Sequence, residues 1–598
     1  MYLCQLSAAI VSTIAALSWH AMKPKILMIQ PAFFRVFLIL FCTGGLACGS
    51  MRPLQAQPLP LDDLPRIPDE PLNLPELLPE QQRIELPEPP TESEFVTPGR
   101  ASYVTSYTFR GNTIFSETEL TLIAQPYTNR KVTFEELRDL CSQITKLYIE
   151  RGYTTSRAFI PIESNQNFEP SGATIVIQVL EGRVEDLQMI GDARLERYVR
   201  ARLESAIAPV FNQRKFEEAV RLLQADPLIQ SISGVFAEGS ESHLLTLTVQ
   251  ATGQLPFAFR TVVDNSRSPS IGTFQIETQI EAANILEFGE RLSASYRYTE
   301  GSDQYDLNFS VPVNSSDGRI SGRYTRFDGQ IVEEPFNQFD IEASSRVAEV
   351  SYLQPIVRRA GRSQLETLAI GLTAARLESE STIDGFPFPL SRGADDQGKT
   401  RISELSFRQD YEGQTNRSIL RARSDFSVGL DVLSATVEDV EPDGKYFLWR
   451  SQAAWLQRVF DEAQIVIVAD VQIASEPLLP MVQFGLGGVD SVRGFRQSGV
   501  ISDSGVRGTA ELRYPLLTQG NTRLNIIPFI SAGVGWNNGS DRVLENNILV
   551  APGLGLQLQS GGLDARVNYS VPITDRGFDG GSLQESGIDF RFEYQSRF

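Results

Sequence analysis

GIDFRFEYQSRF, residues 587–598, alternates aromatic and polar residues almost without a break. Successive side chains of a β-strand point to opposite faces. Phe590, Phe592, Tyr594, Ser596 and Phe598 therefore share one face, and Arg591, Glu593, Gln595 and Arg597 the other. The same texture runs backwards through the chain. In FQIETQIEA, Phe274, Ile276, Thr278 and Ile280 alternate with Gln275, Glu277, Gln279 and Glu281. In YDLNFSV, Tyr305, Leu307, Phe309 and Val311 alternate with Asp306, Asn308 and Ser310. In RLSASYRY, Leu292, Ala294, Tyr296 and Tyr298 share a face, and Gly, Asp, Ser and Asn fill the gaps between runs.

Long period-two runs separated by turn residues are the pattern of a transmembrane β-barrel, with apolar side chains toward lipid and polar ones toward the lumen. A soluble β-sandwich alternates too, but here one face is richly aromatic and many runs are long. At about 20 residues per strand and connection, residues 253–598 hold about 16 strands. In a bilayer every backbone N–H and C=O needs a partner, so the sheet must close with its last strand on its first. A chain that stops on the closing strand is expected to have no tail.

Before residue 253 the period changes. YTFRGNTIFSETEL (107–120) reads as a strand, a Gly-Asn turn and a helix entry, with Ser116 and Glu119 as a capping box. VTFEELRDLCSQITKLYIERGY (132–153) repeats apolar residues at helical spacing through Leu137, Leu140, Ile144, Leu147 and Tyr148, and Gly152 ends it. SRAFIPI and ATIVIQVLEG follow as strands. RVEDLQMIG is then a strand, ARLERYVRARLESAI and RKFEEAVRLLQAD are helices, and IQSISGVFAEGSESHLLTLTVQA is a strand pair. The order recurs, so residues 101–182 and 183–252 read as two duplicated α/β modules.

Residues 57–100 are proline-rich and acidic and form a linker, since proline blocks helix interiors and sheet ladders. No helical periodicity survives the prolines there, so no plug helix is expected. Residues 1–56 read as a signal-peptide region. Lys23 and Lys25 precede an apolar stretch from Phe33 to Phe41, with Met22 as an alternative start and cleavage after Ala47 or Ala56. A lipid-modified Cys48 is disfavoured, because Leu46 and Ala47 do not match the usual spacing of such a site.

Composition narrows the function. The net charge of −20 argues against a nucleic-acid partner, which needs clustered Lys and Arg. Cys4, Cys42 and Cys48 lie in the region expected to be removed, which leaves Cys141 without a disulfide partner as a small buried helix residue. His20 and His243 are the only histidines, so neither a His-based triad nor a His-ligated metal site is expected, and no cofactor is implied. There is no G-x-x-x-x-G-K-[ST] motif and no convincing G-x-S-x-G elbow, so no enzyme is read here.

FGLGGVDSVRGFRQSG (484–499) sits late in the barrel and is followed by SDSGVRGTAELRYPLL. The modules carry YIERGYTTSRAFIP (148–161) and IVIQVLEGRVEDLQMIG (175–191). From about residue 101 to the C-terminus this combination resembles the two-partner secretion transporters, the haemolysin activation/secretion (ShlB/FhaC/HecB) family, which belong with the BamA-type barrels. The resemblance implies two periplasmic POTRA domains and a 16-stranded barrel in the bacterial outer membrane. It implies export of a secreted exoprotein in unfolded form, captured by the POTRA domains. Arg151, Gly152, Tyr153, Arg157, Pro161, Glu181 and Gly182 match the first POTRA domain and become its candidate substrate-binding residues. Val492, Arg493, Gly494 and Phe495 would form the tip of a loop folded into the lumen.

In the family that arginine meets the aspartate of an F-x-D strand motif. Here IIPFISAGVGW has Ser531 after Phe529 and Ile530. Ser531, Glu511, Asp564 and backbone carbonyls are the candidate partners for Arg493. By resemblance to outer-membrane proteins generally, Phe590, Phe592, Tyr594 and Phe598 form the signal read by the barrel-assembly machinery, and the barrel's outer face meets outer-membrane lipid. The competing readings are a BamA-type assembly and insertion factor, a passive porin, and a barrel enzyme.

Overall fold

The structure is a computed structural model and describes residues 101–161, 167–169, 172–207, 209–241, 243–361, 363–437, 442–460, 462–539, 544, 546–575 and 581–598. The signal region, the proline-rich linker, the plug-helix question, His20 and Cys4, Cys42 and Cys48 lie outside the described residues.

The first module places β1 (Ser102–Arg110) parallel to β5 (Gly172–Leu180) at the centre of a sheet. The short strands β2 (Arg130–Val132) and β3 (Arg157–Phe159) flank them, and β4 (Asn167–Glu169) also pairs with β5. Helices α1 (Glu117–Ala124) and α2 (Phe134–Glu150) cover one face. Both helices begin with a capping box, Ser116 with Glu119 and Thr133 with Glu136. The apolar stripe of α2 lands on the sheet, where Leu140, Ile144 and Tyr148 meet Ile175 and Ile177, all fully buried.

The second module repeats the plan. β6 (Arg183–Gly191) runs parallel to β8 (Leu244–Gly253), and β7 (Ile229–Glu238) closes the other side. Helices α3 (Ala193–Ile207) and α4 (Gln213–Gln224) cover it. Leu195, Val199, Leu203, Phe211 and Phe216 form its core.

From Phe257 onward sixteen principal antiparallel strands close into a barrel, the first Phe257–Asp264 and the last Ile588–Arg597. A two-residue spur, Phe386–Pro387, adds to the edge of the seventh, Gln364–Ile383. Closure runs from Arg591 opposite Asp264 to Arg597 opposite Ala258. Phe598 N–H donates to Phe257 O at 2.9 Å, Phe257 N–H donates to Phe598 O at 3.2 Å, and the two rings stack 5.8 Å apart.

The alternation has its physical meaning here. Phe592, Tyr594, Leu307, Tyr305 and Ile280 are exposed on the outer face. Inside, charges are paired. Arg408 meets Asp425 at 2.7 Å, Arg423 meets Asp410 at 2.9 Å, and Arg507 meets Asp470 at 3.0 Å. Such pairing offsets the cost of taking ions from bulk water.

The second module docks on one end of the barrel. Arg202 donates to Asp317 at 2.9 Å, and the Asn284 amide donates to Arg194 O at 2.8 Å. Asp317 also meets Arg319 at 3.2 Å and Arg358 at 3.8 Å. One carboxylate in the turn 313–318 thus gathers two barrel arginines and one module arginine.

Candidate functional site

Residues 475–503 join the eleventh strand, Ala463–Ala474, to the twelfth, Ser504–Gln519. This connection turns inward. A small hairpin pairs Phe484–Leu486 with Val500–Ser502. Phe484, Leu486, Val492 and Phe495 bury themselves against Leu549 and Ala551 of the wall. The polar frame is equally full. The Gln472 amide donates to Val482 O and Asp503 O, both at 3.0 Å. Asp503 accepts from Leu478 N–H at 3.0 Å, from Gln483 Nε2 at 2.8 Å and from Asn538 N–H at 2.9 Å. No sequence motif singles out these frame residues. A lone Gln or Asp looks ordinary until the strand ends that bring them together are known.

VRGF occupies the inner end of this loop. Val492 and Phe495 are buried. Gly494 has φ +85°, and a Cβ there would sit 2.7 Å from the Ser570 Cβ, so both the turn and the wall call for glycine. Arg493 Nη2 lies 2.7 Å from Glu511 Oε1, its Nε donates to Val489 O at 3.3 Å, and its guanidinium stands 4.6 Å from the centre of the Phe529 ring. Glu511 is buried and also meets Arg513 at 3.0 Å and Arg566 at 2.8 Å.

The other two candidate partners stand elsewhere. Ser531 shares a hydrogen bond of 2.9 Å with Thr509. Asp564 accepts from the amides of Gln557 and Gln559, both at 2.9 Å. The register explains this. Phe529 lies opposite Glu511, and Ser531 opposite Thr509. The acid that faces the tip thus comes from the strand beside the F-x-D position.

Of the module residues singled out by the motif, Arg151, Gly152 and Gly182 meet the second module. Gly182 precedes the first strand of the second module, and Arg151 and Gly152 lie at the end of α2. Gly152 O accepts from Gln213 N–H at 2.9 Å, Arg151 O accepts from the Asn212 amide at 3.0 Å, and Gly182 O accepts from Phe211 N–H at 2.8 Å. Asn212 also caps α4 by accepting from Arg214 and Lys215 N–H at 3.1 and 3.2 Å. One side chain therefore joins the end of α2 to the start of α4.

Glu181 is buried inside the first module. It accepts from Thr113 N–H at 2.7 Å, Ile114 N–H at 2.9 Å and the Tyr148 hydroxyl at 2.9 Å. Burial, with help from that carboxylate, pushes the Tyr148 hydroxyl well above its usual range, so it stays a neutral donor. Tyr153 packs edge-on against Tyr148 at 6.1 Å. Arg157 begins β3, and Pro161 is half-buried just beyond it. Glu181 and Gly182, both expected as substrate-binding residues, are buried.

The lumen wall holds a cavity of about 510 Å³ lined by Arg291, Arg319, Arg323, Asp410, Arg423 and Gln452 among others.

Residues 244–558 match the family model of the haemolysin secretion/activation protein ShlB/FhaC/HecB, more than half of the chain. Residues 103–182 match the ShlB-type POTRA domain. The outer membrane transporter CdiB of Dickeya dadantii (strain 3937) is 22% identical over 444 residues, covering 73% of this chain and 76% of the relative. That of Escherichia coli is 23% identical over 515 residues, covering 81% of each. The solved structure of CdiB from Escherichia coli superposes with a TM-score of 0.62 at 18% identity, over 85% of this chain and 93% of that one, which shows the shared fold.

Proposed function

The chain belongs to the family of haemolysin secretion/activation proteins ShlB/FhaC/HecB, and from that premise we propose how it moves its cargo. It is an outer-membrane transporter of the two-partner secretion type, with its POTRA domains in the periplasm and a secreted exoprotein as partner. In our reading the exoprotein arrives unfolded and is captured by strand addition to a POTRA sheet edge. Backbone hydrogen bonds give affinity there with little demand on sequence.

The second module supports this best. Its outer strands β6 and β7 each have no strand partner on one side among the described residues, and both are longer than the three-residue outer strands β2 and β3 of the first module. Arg200 donates to Leu187 O at 2.9 Å and so occupies part of the β6 edge. That favours β7 as the docking strand. The motif residues Arg151, Gly152 and Gly182 serve capture indirectly, by fixing how the two modules stand.

The captured chain then threads the lumen once the loop bearing Arg493 moves aside. Folding outside the cell disfavours its return, so the reading contains no catalytic step. The aromatic lipid-facing side of the last strand, Phe590 to Phe598, serves recognition by the barrel-assembly machinery. The observation that carries the proposal is the closed, polar-lined barrel that holds an inward loop and is docked on the second of the two modules.

Deleting the gene and comparing secreted and outer-membrane proteins by mass spectrometry tests it. The proposal expects the loss of a large protein from the medium while the other barrels stay at their normal level. Unchanged secretion with depleted barrels would instead identify an assembly factor.

A further inference from the structure

Arg493 holds the loop to the inner wall, but a second arginine lies three residues on and faces the other way. Arg496 has a side chain only 11% exposed. Its Nη1 and Nη2 donate to Glu333 Oε1 and Oε2 at 2.6 and 2.5 Å, a two-pronged match of fork to carboxylate. Glu585 Oε1 stands 3.6 Å away, and its partner oxygen Oε2 is fixed by Ser582 N–H at 3.1 Å and Ser582 Oγ at 2.7 Å.

Glu333 lies between the fifth and sixth strands, Arg319–Gln330 and Ile341–Ala360. Glu585 lies just before the last strand. Both are at the end of the barrel away from the docked module. The neighbouring residue extends the hold. Gln497 N–H donates to Gln584 Oε1 at 3.1 Å, and the Gln584 amide donates to Arg267 O at 2.8 Å and to Asn265 O. Asn265 in turn bonds across the closing seam, giving to Ile588 O at 3.0 Å and accepting from Phe590 N–H at 2.9 Å. The loop is thus fastened to the outer connections and, through Gln584, to the outer end of the seam.

We propose that Arg496 is a positioning residue: the outer latch of the loop, closed on Glu333 and Glu585, whose release lets the pore open. The inference rests on the reading of that loop as the gate. The chemistry suits a latch. A bidentate pair is directional and holds one position, and both ions regain water when it parts, so release is cheaper than leaving one charge stranded. Arg493 and Phe495 hold the tip, and among the outer contacts of residues 493–497 the Arg496 pair is the charged one, next to the hydrogen bond from Gln497 to Gln584.

The test is single-channel recording of the purified full chain in planar lipid bilayers, after heat-modifiable gel mobility shows a folded barrel. Arg496→Glu and Glu333→Gln should each raise the open-time fraction by about tenfold. Arg496→Glu combined with Glu333→Arg should return it toward the parent level, and Arg496→Lys should fall between. Deletion of 489–497 is the control for the gate itself. If that deletion opens the channel while Glu333→Gln and Arg496→Glu leave it as before, or if the charge swap fails to restore closure, the latch is wrong and the gate stands. If the deletion leaves conductance unchanged, the gate reading falls and the latch with it. Should Arg496→Glu not fold, the near-isosteric Glu333→Gln decides alone.

Discussion

Glu511 faces three arginines from three places: the loop tip, its own strand and the fifteenth strand. A buried carboxylate so placed neutralises only part of the charge around it, and removing it strands guanidinium groups in a site with little water. We expect Glu511→Gln to destabilise the folded barrel by about 3–5 kcal/mol, read as a lower midpoint for loss of heat-modifiable mobility. Ser531→Asp added to Glu511→Gln should recover much of that loss. Ser531 lies two residues along the neighbouring strand from Phe529, on the same lumen face. From spacing alone, Glu511, Asp564 and Ser531 are equivalent partners for Arg493. Choosing among them requires the cross-strand register, which no single run of sequence encodes. Cys141 tests the other extreme. Burial pushes its thiol up to about 12, so a maleimide at pH 8 should leave the peptide carrying it unlabelled in the native protein and label it after denaturation.

At the scale of elements, two joints set the geometry through which cargo must pass. Gly152 has φ +94°, and a Cβ there would come within 2.7 Å of Asn212 Oδ1. Gly152→Ala should therefore cost about 1–2 kcal/mol from the backbone alone, loosen the two-module unit and lower secretion. Faster limited proteolysis between the modules would register it. Asp317 is the corresponding point between the second module and the barrel. Asp317→Asn leaves Arg202, Arg319 and Arg358 without their shared anion, and we expect protease sites in 253–256 to be cut several-fold faster. Had Asp317 belonged only to its turn, the cleavage rate would stay unchanged. The helices around these joints were legible from period and caps, as Ser116 with Glu119 illustrates. The joints were not. Asn212 reads as a plain helix cap, and its second hydrogen bond to Arg151 O depends on a packing that brings distant segments together.

For the whole molecule, the alternation is the strongest signal because lipid and lumen impose opposite demands on neighbouring residues. In RLSASYRY and YDLNFSV the face that reads as apolar is the face that points outward. What alternation cannot convey is which connection folds back inside. That depended on the family resemblance of VRGF, and the inward course of 475–503 rests on packing by Phe484, Leu486 and Phe495 that any soluble loop core would share. The central claim is passage of protein through the lumen, and site-specific photo-crosslinking in living cells tests it most directly. A crosslinker in place of Asn308, on the lumen cavity, should form adducts with the secreted exoprotein in transit. The same probe one residue earlier at Leu307, exposed on the outer face, should capture lipid and not that protein. Adducts of the exoprotein at Leu307, or none at Asn308 while secretion continues, would contradict the account.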